Sequence, residues 1–275
     1  MTYFGFLAQF LVIPILLLAL LAWVDGRRGL TLPPALRGWP VWRVVVGHII
    51  VALIYTTPWD NYLVATGVWS YNPDLVTGLV LGWVPIEEYT FFVLQPILTS
   101  LWLLWLARRL SPDPNPLPHS KVTRGVLLGG LGLIWLGMAA ILAAGWQPGT
   151  YLALILVWAL PPVMFQCGFG ADILWRHRRL IGLTLLPMTL YLSLADALAI
   201  GSGTWTIDPA QSLPIYLGGV LPVEEFVFFL MTNVLLVLGV VLVLAYESQS
   251  RVSPELRARL ARWSGLGLRE GDSLG

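Results

Sequence analysis

The chain has 275 residues, of which 57% are hydrophobic and 11% charged, and a net charge of +1. A soluble domain carries about 25% charged residues, so this composition cannot solvate an ordinary surface and excludes a soluble globular protein. Hydrophobic windows near the ~20 residues needed to cross a bilayer recur along the chain. Seven are expected as helices: residues 3–24, 41–57, 75–106, 126–144, 151–174, 180–200 and 213–246. The first has no basic stretch before it and outruns a signal-peptide core, so it reads as a true span. The second is short, and the third and last are long with a proline inside each. The expected fold class is an all-α polytopic membrane protein with seven transmembrane helices.

The charges follow the same plan. Arg27, Arg28, Arg37 and Arg43 follow the first window, and Arg108, Arg109, Lys121 and Arg124 the third. Arg176, Arg178 and Arg179 follow the fifth, and Arg251, Arg257, Arg259, Arg262 and Arg269 the seventh. The loops after the second, fourth and sixth windows carry no Lys or Arg. Positive charge collects on the cytoplasmic side, which predicts an outside N-terminus and a cytoplasmic C-terminus for a multi-pass protein of the cell membrane. Cys167, the single cysteine, excludes an intrachain disulfide and is expected to be a small buried hydrophobe. His119 and His177 are expected on the cytoplasmic side, with His48 alone in the second helix, and no metal-ligand spacing appears.

The chain contains one unit twice. Asp60, Gly67, Trp69 and Pro73 recur 136 residues later as Asp196, Gly203, Trp205 and Pro209. Gly82, Pro85, Glu87, Glu88, Phe91 and Phe92 recur 137 residues later as Gly219, Pro222, Glu224, Glu225, Phe228 and Phe229. Pro14 and Asp25 match Pro161 and Asp172 at an offset of 147. The expected organisation is a three-helix repeat over 1–106, a linker with helix four over 107–150, a second repeat over 151–246 and a basic cytoplasmic tail over 247–275. Three helices is an odd number, so the extra crossing by helix four makes the two repeats parallel. In the tail, Ser253-Pro254-Glu255 has the form of a helix start. Leu256, Leu260 and Trp263 alternate there with arginines, which suits either a helix on the inner leaflet or a disordered tail.

The octets PIEEYTFF (85–92) and PVEEFVFF (222–229) are the sharpest signals. Each proline either kinks a long helix or starts a new one, and a break on the outer side is expected. An acid at the centre of a membrane helix costs about 2.5–3.5 kcal/mol on insertion scales, so four glutamates at related positions call for a use. Phe91 and Phe228 follow Glu87 and Glu224 by one turn, as Phe92 and Phe229 follow Glu88 and Glu225. A carboxylic acid held unpaired in an apolar site tends to keep its proton. Such an acid can protonate an alkene, and ring faces can steady the resulting cation by about 2 kcal/mol when desolvated. The other open reading is that the carboxyls bond backbone freed by proline while the rings pack as core. Asp60 and Asp196, each nine residues before a tryptophan, suit a relay, a terminal base or a helix-end cap. Trp69 and Trp205 suit an interface belt or pocket walls. Asp25 and Asp172 lie near arginines and read as ion-pair partners.

At these motifs the chain resembles the small, flavin-independent membrane lycopene cyclases, whose mark is a Pro-x-Glu-Glu motif in each half: here Pro85-Ile86-Glu87-Glu88 and Pro222-Val223-Glu224-Glu225. The resemblance covers both repeats and implies the fused form of the family. It implies proton-initiated, non-redox closure of the ψ ends of lycopene to β rings, giving β-carotene through a one-ring intermediate. Glu87 and Glu224 are then the expected principal acids, with Glu88, Glu225, Asp60 and Asp196 supporting them. Phe91, Phe92, Phe228, Phe229, Trp69 and Trp205 are expected to bind substrate. The expected partners are a lipophilic carotenoid, membrane lipid and other carotenoid-pathway enzymes, with no nucleic acid. No G-x-G-x-x-G fingerprint follows a strand, so no flavin or other cofactor is expected. A proton-coupled transporter is the alternative, because intramembrane acids and repeats occur there too. A retinal protein needs a membrane lysine, and the only lysine, Lys121, falls in a loop.

Overall fold

The computed structural model describes residues 1–113, 121–253 and 255. Among these residues, seven helices are long and apolar enough to cross a membrane. They are α1 (Tyr3–Arg27), α2 (Val41–Ala65), α3 (Ile86–Ala107), α4 (Lys121–Ala144), α5 (Thr150–Arg176), α6 (Arg178–Gly201) and α7 (Val223–Leu244). A short helix, α8 (Tyr246–Arg251), follows. Six short strands lie between helices: β1 (Trp69–Tyr71), β2 (Val80–Leu81) and β3 (Val84–Pro85), then β4 (Trp205–Ile207), β5 (Tyr216–Leu217) and β6 (Leu221–Pro222). The all-α membrane architecture agrees with the composition. His119, Pro254 and the tail residues Leu256, Arg257, Arg259, Leu260, Arg262, Trp263 and Arg269 fall outside the described residues.

Three helices differ from their hydropathy windows. The second helix is not short: Pro58 and Asp60 lower local hydropathy, yet both lie inside a 25-residue helix. The third and seventh break at the proline as expected, so they are shorter than their windows. Pro85 (φ −69°, ψ 152°) and Pro222 (φ −54°, ψ 140°) sit just before α3 and α7 in non-helical backbone. Proline fixes φ and holds the preceding residue extended, so the residues before each proline form an antiparallel hairpin, β2–β3 or β5–β6. Gly82 (φ +70°) and Gly219 (φ +75°) make these hairpin turns in the left-handed region. A Cβ on Gly82 would also meet Asn61 Oδ1 at 2.2 Å.

The two Pro-Glu-Glu helices form the centre. α3 packs against α1, α2, α6 and α7, and α7 packs against α5, α6, α2 and α3. Each central helix therefore touches the middle helix of the other repeat. In lipid, close packing and polar contacts replace the hydrophobic drive between helices. Here Asn233 Oδ1 accepts from Gln95 Nε2 (2.9 Å) and Thr99 Oγ1 (3.0 Å), while Asn233 Nδ2 donates to Thr189 Oγ1 (3.3 Å), so α3, α6 and α7 share one polar knot. β1 and β4 pair antiparallel, Trp69 opposite Ile207 and Tyr71 opposite Trp205, and stitch the repeats together above the helices. α4 lies against α5 and buries no residue of its own.

α1 carries one irregularity, a π-helical turn over Ala8–Val12. Such turns hold one extra residue within an otherwise α-helical course. At the arginine-rich ends, Asp25 pairs with Arg109 (2.7 Å) and Arg108 (3.7 Å), and Asp172 pairs with Arg124 (3.3 Å) and Arg251. Both aspartates are the ion-pair anchors their surroundings suggested. Cys167 is buried and free. His177, between α5 and α6, is buried too, and that burial pushes its imidazole below the usual histidine range.

Candidate functional site

The hairpins place the two glutamates of each motif in the first turn of α3 or α7. Neighbours on a helix differ by about 100° in direction, and the pair divides accordingly. Glu87 Oε1 turns back to the preceding loop and accepts from Thr77 N (2.6 Å), and Glu224 Oε1 accepts from Leu213 N (2.6 Å). Thr77 and Leu213 are equivalent positions of the repeat, 136 apart. These two carboxyls hold the loops that carry the hairpins.

Glu88 and Glu225 turn the other way. Together with Asp196 they line a small cavity of about 30 Å³ between the repeats. Tyr3 OH and Tyr71 OH (2.9 Å) both donate to Glu88 Oε2. Tyr151 OH donates to Glu225 Oε1 (2.7 Å), and Trp205 Nε1 donates to Asp196 Oδ1 (2.9 Å). Asp196 Oδ2 has no hydrogen-bond partner among the described residues. No ion pair among those residues involves Glu88, Asp196 or Glu225. Tyr71 lies outside the spans, and burial, then the Glu88 charge, push its hydroxyl well above the usual tyrosine range. It therefore stays a donor toward Glu88.

Rings close the remaining walls: Phe6, Trp69, Phe91, Trp205, Phe228 and Phe229. Phe91 and Phe229 meet edge to face across α3 and α7 (centroids 6.2 Å), and Phe228 stacks on Trp59 (5.7 Å). Of the expected one-turn pairings, only that of Glu225 with Phe229 is kept inside the cavity. Phe91 enters the cavity with Glu88 and Phe228 with Glu225, each three residues on, because positions i and i+3 also share a helix face. Phe92 is buried but faces a different, larger cavity between α2, α3, α5 and α7.

Asp60 does not line the small cavity. It is fully buried in α2, and neither of its oxygens has a hydrogen-bond partner among the described residues. Trp69 does line it, but its Nε1 also lacks a partner among the described residues. His48 Nδ1 lies 2.7 Å from Val44 O of its own helix, and its ring lines the larger cavity.

Sequence reasoning missed the three tyrosines. Thr-Tyr at 2–3 and again at 150–151 was a usable signal, since Tyr3 and Tyr151 are the donors to the second glutamate of each pair. Their offset is 148, whereas Pro14 and Pro161 lie 147 apart. The π-helical turn of α1 absorbs that extra residue.

A family model described as lycopene cyclase matches residues 2–106 and 148–245. This chain belongs to the lycopene cyclase family. The match takes in both Pro-Glu-Glu motifs, all three tyrosine donors and the β1 and β4 strands of the cyclase, and leaves out 107–147, where α4 lies. The lycopene beta-cyclase of Halobacterium salinarum is 39% identical over 194 residues, covering 70% of this cyclase and 79% of that protein. The bifunctional lycopene cyclase/phytoene synthase of Podospora anserina is 37% identical over 224 residues, covering 78% of this chain but 37% of that longer protein. That of Colletotrichum graminicola is 37% identical over 203 residues, with 70% and 34% covered. No solved structure matches the cyclase.

Proposed function

We propose that this protein is a lycopene beta-cyclase that closes the ψ ends of lycopene to β rings, giving β-carotene by way of the singly cyclised carotenoid. The observation that carries the reading is one cavity lined by Glu88, Asp196 and Glu225 and walled by aromatic faces, within membrane helices. A carboxyl there gives its proton to the terminal double bond of the polyene. The chain closes through a new C–C bond, and a carboxylate removes a proton from the neighbouring carbon. No electrons are gained or lost, and the acid and base are reset by one proton passing between them. Positioned acid–base groups of this kind contribute about 10²–10⁴ in rate. Ring faces steady the cation without attacking it, and a dry site keeps water from trapping it.

In this reading Glu88 and Glu225, rather than Glu87 and Glu224, exchange protons with substrate. Glu87 and Glu224 are positioning residues that hold the 77 and 213 loops. Asp60 supports the site from outside the cavity wall. The repeats, 1–106 and 151–246, supply one shared site, with 107–150 as linker and 247–275 as a cytoplasmic tail. The one-sided arginines support a cell-membrane protein with its N-terminus outside and its site near the outer face. The family match leaves the transporter alternative without support.

The test is expression in a lycopene-accumulating host, followed by chromatography of the pigments. Conversion of lycopene to β-carotene is the expected result. Unchanged lycopene, with the protein present in the membrane fraction, would overturn the proposal.

A further inference from the structure

The cavity lined by the acids is too small for what it must hold. About 30 Å³ accommodates roughly a water molecule or two. A linear C40 polyene is about as long as the bilayer core is thick, ~30 Å, so most of it lies elsewhere while one end reacts. Directly beside the acids is a second cavity of about 500 Å³ between α2, α3, α5 and α7. Phe91 and Phe228 line both. They are the partition between the two spaces.

The larger cavity has the shape and chemistry of a hydrocarbon slot. On α2 it is lined by Arg43, Gly47, Val51 and Tyr55. Their four-residue spacing makes one helix face, about 18 Å long at 1.5 Å per residue. Its upper end is roofed where Tyr55 OH donates to Trp158 O (2.7 Å) and the two rings stack (5.6 Å). Val51 lines the slot and is 63% exposed, so the slot meets lipid along α2. The far end turns polar at Arg43, His48 and Gln166. Arg43 Nη1 and Gln166 Oε1 have no hydrogen-bond partner among the described residues, which marks the limit of the apolar stretch.

We propose that this slot holds the unreacted arm of the linear polyene. The reacting end passes between Phe91 and Phe228 to Glu88, Asp196 and Glu225, and any excess length leaves sideways into lipid at Val51. The inference rests on the cyclase reading and adds where the substrate lies and how it enters. Lateral entry from lipid lets a hydrocarbon reach the acids without crossing water. It also lets a singly cyclised product back out and return with its other end first.

Gly47 offers a direct test. Gly47 lines the slot and is itself exposed, and a Cβ built there meets nothing within 4 Å, so a larger side chain fits at its root without a clash. Replacing helical glycine also favours the helix. Val46 is exposed and does not line the slot. The experiment measures lycopene conversion by purified protein in liposomes, together with thermal unfolding, for G47A, G47V, G47L and G47W and for V46W. The expected result is a loss that grows with side-chain size at position 47, reaching at least about tenfold for G47W, the equivalent of about 1.4 kcal/mol. The unfolding temperature should hold, and V46W should behave as the wild type. A flat series at position 47 overturns the slot while leaving the cyclase reading intact. A loss that tracks falling unfolding temperature, or an equal loss in V46W, also overturns it. A wild type that converts no lycopene overturns the cyclase reading, and the slot with it.

Discussion

In the second repeat Trp205 donates to Asp196, whereas in the first the matching Trp69 and Asp60 are both buried, with no partner among the described residues for the indole N–H or either carboxyl oxygen. The glutamates are unequal in the opposite sense. Glu88 has two hydroxyl donors, Tyr3 and Tyr71, and Glu225 has one, Tyr151. The second donor is missing because Ile207 stands where the first repeat has Tyr71. In the ribbon, Tyr71 faces Trp205 and Ile207 faces Trp69. Duplication thus gave one architecture twice, and a few substitutions made its halves chemically different. A reaction that needs one group to give a proton and another to take one is served by such a difference; two identical half-sites would compete for the same role.

The largest expected effect separates the two glutamates within each motif. E88Q and E225Q should each slow conversion by about 10²–10⁴-fold, read as β-carotene formed per unit time in liposomes. E87Q and E224Q should stay within the wild-type order of magnitude, because an amide oxygen still accepts from Thr77 N or Leu213 N. If E87Q and E224Q are the dead pair, the assignment of roles is reversed. An intermediate effect comes from the indoles. W205F leaves a buried Asp196 oxygen without its donor and should cost about 1–3 kcal/mol of stability, measured by unfolding in lipid or detergent. W69F removes an N–H with no partner among the described residues and should cost clearly less. Equal costs would show that the repeats are alike at this point after all. The smallest effect is Y71F. It leaves Glu88 with one donor, as Glu225 already has, and should slow the reaction about fivefold, the equivalent of about 1 kcal/mol for one hydrogen bond. No change in rate would remove Tyr71 from the site.

Much of this was legible in the chain because membrane crossing and duplication both leave coarse marks. Apolar length gave seven helices, and the recurrence of Asp, Trp and Pro-x-Glu-Glu located the residues gathered between the repeats. The ends of α2, α3 and α7 were not legible from hydropathy. Pro58 and Asp60 are tolerated inside a helix, while the apolar residues before Pro85 and Pro222 fold back as hairpins. Which glutamate of a pair faces the cavity was also hidden. Both lie in the same helical turn, and the choice is made by Thr77 N and Leu213 N, backbone groups that carry no side-chain signal. Tyr3 and Tyr151 were missed because the repeat is out of step by one residue at the start of α1, and Tyr71 because the second repeat has Ile207 in its place.

That one-residue step has a consequence for α1 itself. The widened turn at Ala8–Val12 acts as a phase adjuster: everything before it is rotated relative to the Pro14 end of the helix. Without it, Tyr3 would sit about 100° around the axis, aimed at lipid or a neighbouring helix instead of Glu88. The Tyr3 hydroxyl reaches its carboxyl only because the helix departs briefly from regularity, so a stretch with no polar side chain except Gln9 sets the aim of a buried acid's partner.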